Sequence, residues 1–167
     1  MPYLAAAVVL IGLLSVLNLV LTLGLIRRLR EQGAAQPQDA GPPMALEPGA
    51  EVGDFTTTTT EGEPVSRAIL IGLIGFFSAG CEPCHDLAPR FARLATGLPR
   101  LAVVSGDDPE LVAVLSPATR VVVEDHNGVV SRAFQNTWTP ALYLIDGEHR
   151  VVAAGGRLED LPIESPA

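Results

Sequence analysis

Hydrophobic and polar positions fall into three regimes along this chain. From Tyr3 to Ile26, 24 consecutive residues carry no charge, and leucine and valine dominate. As a helix at about 1.5 Å per residue, that stretch spans roughly 36 Å, enough to cross a hydrocarbon core of about 30 Å with some tilt. From Glu31 to Ala50 the composition shifts to Gly, Ala, Pro, Gln and Asp, punctuated by Pro42-Pro43 and Pro48-Gly49. Nothing apolar repeats there, so the stretch reads as a linker with a flexible reach of about 25 Å. Beyond it, short apolar runs alternate with polar breaks, the pattern of a folded α/β domain.

Within that domain, Phe55–Thr60 is β-branched and extended, and Glu61-Gly62-Glu63 predicts a turn into a partner strand at Val65. Ala68–Phe77 is apolar throughout, the signature of a strand buried on both faces. Leu87, Ala88, Phe91, Leu94 and Ala95 then recur at helical spacing. Leu101–Ser105 predicts a second buried strand, and Asp107-Asp108-Pro109 caps a helix running through Leu115. Arg120–Val123 predicts a third strand, Val129–Phe134 a helical turn and Asn136–Thr139 a loop. Ala141–Ile145 and Arg150–Ala153 flank Asp146-Gly147 as a hairpin. Only Leu158–Leu161 remains for a last helix before Pro162. The expected organisation is an anchor at 3–29, a linker at 30–50, an α/β domain at 51–162 and a tail at 163–167.

The anchor reading has a competitor in a cleavable signal peptide. The span is too long for such a peptide's apolar region, and no basic residue precedes it. No cysteine follows it to carry a lipid. A retained single-pass helix in the cell membrane is therefore expected. Arg27, Arg28 and Arg30 flank its C-terminal end, which by the positive-inside rule assigns the domain to the cytoplasmic side. All eleven basic residues are arginines. After those three, residues 31–167 hold eight against all nineteen acids, a net of −11, so nucleic acid is excluded as a partner.

The only two cysteines stand in Cys81-Glu82-Pro83-Cys84, between the long apolar strand and the helix. At such a junction the unpaired N–H groups and the helix dipole favour an anion, and a thiolate at Cys81 is one. Pro83 suits the first helical turn, where a missing N–H costs nothing. Three other readings of the pair exist. A structural disulfide over so short a loop constrains little. A zinc site needs four ligands, and neither a second CxxC nor a histidine pair is present, so no metal is expected. With His85 the run CEPCH also matches the attachment signal for c-type haem, although a buried strand leads into it.

Phe76-Phe77-Ser78-Ala79-Gly80-Cys81-Glu82-Pro83-Cys84 resembles the active-site strand and loop of the thioredoxin fold, most nearly the membrane-anchored TlpA/ResA/MauD-like thiol–disulfide oxidoreductases. The resemblance covers about residues 46–160 and includes Thr139-Pro140 ahead of a strand. It implies a thioredoxin-like mixed sheet flanked by helices and a redox-active Cys81–Cys84 disulfide with no further cofactor. Client protein thiols or disulfides, and a membrane electron donor or acceptor, are the implied partners. It implies a cis Thr139–Pro140 bond facing the cysteines, with Thr139 offering backbone groups to an extended client. It also places the domain outside the cytoplasm, against the three arginines.

Position assigns the chemistry. Cys81 attacks and Cys84, one turn in, resolves. Glu82 disfavours a thiolate at Cys81, and a protonated His85 favours it. His85 otherwise reads as a solvated first-turn residue, and Trp138 as either groove or core. The chain departs from the thioredoxin pattern at Gly80, where a tryptophan is common, and at Gly75, where thioredoxins proper bury an acid. Glu82, Glu124 or water would then serve the resolving thiol. Two further classes stay open: a peroxiredoxin-like peroxidase through Ser78-Ala79-Gly80-Cys81, and a non-catalytic, redox-regulated membrane adaptor.

Overall fold

A computed structural model describes residues 46–163 and, of the N-terminal stretch, Gly12 alone. The expected anchor, most of the linker and the end of the tail lie outside the described residues. Among the described residues no helix is long and apolar enough to cross a membrane.

The central strand is β3, Gly72–Ser78, buried at every position up to Phe77. The apolar run before it does not extend the strand. Arg67–Ile69 forms a single 3-10 turn instead, and Ile69 and Ile71 are exposed. Gly72 is the reason: it sits at φ 99°, and a Cβ there would lie 2.2 Å from the carbonyl oxygen of Pro99. Only glycine permits that approach, so the strand starts where hydropathy shows no break.

Around β3 assemble β4 (Arg100–Ser105), β5 (Arg120–Glu124), β6 (Ala141–Ile145) and β7 (Val151–Gly155), in the order β5-β4-β3-β6-β7. The β3, β4 and β5 strands run parallel, while β6 is antiparallel to both β3 and β7. Apart from the sheet, β1 (Thr56–Thr58) and β2 (Pro64–Ser66) form the expected hairpin. Among the described residues from 46 onward, three α-helices complete the fold: α1 (Glu82–Arg93), α2 (Pro109–Leu115) and α3 (Val129–Ala133).

Alternation along the strands builds two cores. Leu73, Phe77, Ala102, Val104, Val121 and Leu142 face one way, against Leu87 and Phe91 of α1 and Leu111 and Leu115 of α2. Leu158 and Leu161 join that layer, so the short C-terminal turn covers the face that a longer helix would otherwise fill. On the other face Phe76, Val103, Val122 and Tyr143 meet Val130 and Phe134, with Phe55 and Val65 from the hairpin. Leu46–Ala50, which composition assigns to the linker, packs here too. Leu46 is buried, Gly49 N–H donates to Val151 O at 2.7 Å, and Val151 N–H donates to Ala50 O at 2.9 Å. The open edge of β7 offers those backbone groups, which composition cannot show.

One cap fixes α1 to the sheet. The Arg100 guanidinium Nη1 donates to the carbonyls of Phe91, Ala92 and Leu94 at 3.0, 2.8 and 2.8 Å. These are terminal carbonyls of the helix, where a cation also complements the dipole.

Candidate active site

The site begins where β3 ends. Gly80, at φ 72°, turns the chain, and Cys81 becomes the N-cap of α1. Its Sγ accepts a hydrogen bond from Cys84 N–H at 3.2 Å, and its carbonyl accepts from Cys84 and His85 N–H. Glu82 and Pro83 occupy the exposed first turn, as the sequence predicts. Cys81 and Cys84 are joined by a disulfide, with Cα atoms 5.2 Å apart. The two sulfurs are not equivalent: Cys84 is fully buried between α1 and the sheet, whereas Cys81 is half-buried at the helix tip.

Position 75 explains the missing acid. Gly75 lies on the face of β3 that carries Leu73 and Phe77, beneath α1. A Cβ there would meet Phe77 Cε2 at 2.8 Å and Phe91 Cε2 at 2.9 Å, two rings packed edge to face with centroids 5.5 Å apart. The aromatic pair fills the volume that an acid would need. Glu124 does not substitute, because its carboxylate accepts from Val130 N–H, Ser131 N–H and the Ser131 hydroxyl at 2.9, 2.9 and 2.5 Å. It serves as the N-terminal anion of α3. Glu82 remains, exposed beside Cys81.

His85 is more engaged than a solvated residue. Its Nε2 lies 3.2 Å from Asp108 Oδ2, while Asp108 Oδ1 caps α2 by accepting from Leu111 N–H at 3.1 Å. Asp108 thereby spans from the residue after Cys84 to the start of the next helix. The loop expected at 136–139 is also built around one side chain. Asn136 Nδ2 donates to Trp138 O at 2.8 Å, and its Oδ1 accepts from the Tyr143 hydroxyl at 3.0 Å. Burial pushes the Tyr143 phenol up to about 12, so it stays a donor. The Thr139–Pro140 bond is cis, and Thr139 Oγ1 meets Ser78 Oγ at 2.6 Å. That contact brings the proline loop against the strand end that feeds Cys81. Trp138 is half exposed, which removes the core alternative for it. Sequence reasoning missed Asn136 and Arg100 as contributors, since their partners are near in the chain but come within reach only once the loop and the helix end are folded.

Neither a protein-family model nor a curated protein matches this chain. Solved structures do. A thio-disulfide isomerase from Thermus thermophilus is 25% identical, with a TM-score of 0.56 over 67% of this chain and 88% of its own. The thioredoxin domain of a thiol-disulfide oxidoreductase from Bacteroides vulgatus is 22% identical, with a TM-score of 0.57 over 70% of this chain and 94% of its own. A secreted disulfide oxidoreductase from Mycobacterium tuberculosis is 19% identical, with a TM-score of 0.52 over 68% and 87%. The fold is thioredoxin-like. The structures it resembles are thiol–disulfide oxidoreductases, and this chain holds a bonded cysteine pair at the strand–helix junction.

Proposed function

We propose that this chain is a membrane-tethered thiol–disulfide oxidoreductase of the TlpA/ResA/MauD type, which exchanges electrons with protein cysteines through Cys81 and Cys84. The observation that carries this is the inequality of the two sulfurs: one accessible at a helix N-terminus, the other fully buried and bonded to it. In the reducing direction the Cys81 thiolate attacks a client disulfide, a mixed disulfide forms and one client thiolate leaves. Cys84 then attacks Cys81 Sγ, the second client thiolate leaves, and the intramolecular disulfide closes. Two electrons pass to the client and two protons follow the departing thiolates; the oxidising direction is the reverse. The disulfide is the redox carrier, and no other cofactor enters the cycle.

The reading is supported against covalent haem by the burial of Cys84, since attachment needs both thiols within reach of the macrocycle. Against a peroxidase stands the Ser78 hydroxyl, which is paired with Thr139. The 24-residue uncharged span supplies the tether, and the extracytoplasmic side follows from the resemblance. The full chain, reduced and mixed with a protein disulfide, should transfer two electrons per molecule and lose this with Cys81→Ser. Failure to exchange with any protein disulfide, alongside peroxide consumption or a covalent haem stain, would replace the proposal with one of those readings. A reporter active only outside the cytoplasm, fused after Ala167, tests the side; activity of a cytoplasm-only reporter there would reverse it.

A further inference from the structure

A cavity of about 130 Å³ lies beside the proline loop, with Ser78, Ser105, His126, Ser131, Trp138 and Thr139 among its lining residues. It contains no Asp, Glu, Lys or Arg in its lining. Ser105 is 8% exposed, and its hydroxyl lines the cavity without a hydrogen bond to another described residue. That hydroxyl can both donate and accept, and it is open to a ligand atom entering the cavity. Its backbone carbonyl accepts from Ala79 N–H at 2.9 Å, which puts this strand end one hydrogen bond from the loop that carries Cys81.

The remaining polar atoms define what fits. The Asn136 side chain is committed at both ends, to Trp138 O and the Tyr143 hydroxyl. The Ser131 hydroxyl donates to Glu124, which leaves its oxygen as an acceptor. Of the Ser78–Thr139 pair, one hydroxyl donates to the other, and the acceptor's own proton stays available. The pocket thus presents donors and acceptors together, with His126 its one titratable side chain and no Asp, Glu, Lys or Arg. A carboxylate would find no Lys or Arg in the lining and an ammonium no Asp or Glu, and burying either charge unpaired is strongly unfavourable.

We infer that this cavity is a specificity subsite of the dithiol centre, taking a short neutral hydrogen-bonding side chain (Asn, Ser or Thr) from the client polypeptide within two residues of its reactive cysteine. The inference rests on the thiol–disulfide exchange reading above. Ser78 and Thr139 line the cavity and bond to each other, and Ser78 ends the strand three residues before Cys81, which sets the cavity beside the segment that carries the reactive sulfur.

The test uses the full chain, reduced, and a set of peptides each holding one cysteine in a disulfide with a common thiol. Asn, Ser, Leu, Asp and Lys are scanned over the two positions on each side of that cysteine. At one of these positions Asn and Ser peptides should exchange about five- to tenfold faster than Leu, Asp and Lys peptides, the scale of one satisfied buried hydrogen bond. The quantity compared between proteins is this ratio, in which a general change in exchange rate cancels. Ser105→Val, which removes the hydroxyl and puts two methyl groups at the cavity wall, should bring the ratio close to one. Ser105→Ala, which removes only the hydroxyl, should at least halve it. Equal rates for all wild-type peptides, a preference for a charged or apolar residue, or a ratio retained in both Ser105 variants would overturn the assignment. Equal rates leave the oxidoreductase reading standing, whereas exchange with no peptide at all removes that reading and this one together.

Discussion

The Ser78 and Thr139 hydroxyls, 61 residues apart in sequence, meet at 2.6 Å and tie the strand end before the dithiol to the loop that carries the cis proline. A part-buried hydrogen bond of this kind contributes about 1 kcal/mol. Ser78→Ala and Thr139→Val should each lower unfolding free energy by about that much. Because both remove the same contact, the double variant should lose little more than the worse single one, giving a coupling energy of about 1 kcal/mol in a double-mutant cycle. Strict additivity in denaturant unfolding would show that the contact contributes nothing.

A second prediction concerns Arg100, which no motif singled out. Three carbonyls at the end of α1 accept from one of its nitrogens. Hydrogen bonds to a charged donor contribute about 1.5–3 kcal/mol, and the carbonyls are left short of partners when it is removed. Arg100→Ala should therefore lower stability by about 2–3 kcal/mol, with Arg100→Lys recovering part of the loss as a point cation near the helix end. Chemical denaturation checks it, and an unchanged midpoint for Arg100→Ala would refute the cap.

How far the fold can be read from sequence follows from where the information lies. The junction at Cys81, the Asp108 cap and the hairpin around Asp146-Gly147 depend on neighbours within a few residues, and each stands where local chemistry puts it. The start of β3 does not, because it is decided by the carbonyl of Pro99 pressing on Gly72. His85 and Asp108 meet only after β4 has crossed the sheet, so spacing gave no hint of the pair. At Gly75 the absence of an acid was visible, but its replacement by the Phe77–Phe91 pair was not. Glu124 was a reasonable substitute by type, yet folding commits it to α3.

Tyr143 predicts alkaline behaviour. Desolvation raises its phenol from 10.0 to about 12 in the folded chain, while the unfolded chain ionises near the ordinary value. The unfolded state therefore loses its proton first as pH rises. Stability from this group is complete below about pH 10 and is lost between about pH 10 and 12, amounting to about 3 kcal/mol for a shift of about two units. The chain has no lysine and one other tyrosine, Tyr3, so few groups confuse that window when the disulfide is intact. Tyr143→Phe should flatten unfolding free energy across pH 10–12, while lowering it at neutral pH by about 1 kcal/mol, since Asn136 Oδ1 loses its donor. A wild-type profile as flat as the variant's would contradict the burial argument.

The last prediction concerns the order of the two sulfurs. If Cys81 attacks and Cys84 resolves, Cys84→Ser leaves the first step intact and stalls the second. A mixed disulfide with the client should then accumulate, show the client's mass by intact mass spectrometry and dissolve on adding reductant. In Cys81→Ser the remaining thiol is Cys84, fully buried beneath α1 and away from the helix tip, so it should trap nothing on the same timescale. The contrast between variants carries more than either alone, because two interchangeable thiols would trap equally or not at all. Equal trapping would mean that Cys84 reaches clients despite its burial, and the division of labour drawn from the helix N-cap would have to be abandoned. Trapping by Cys84→Ser alone would also deliver the client itself, whose residues near the bonded cysteine can be compared directly with the neutral polar side chain inferred for the pocket behind Thr139.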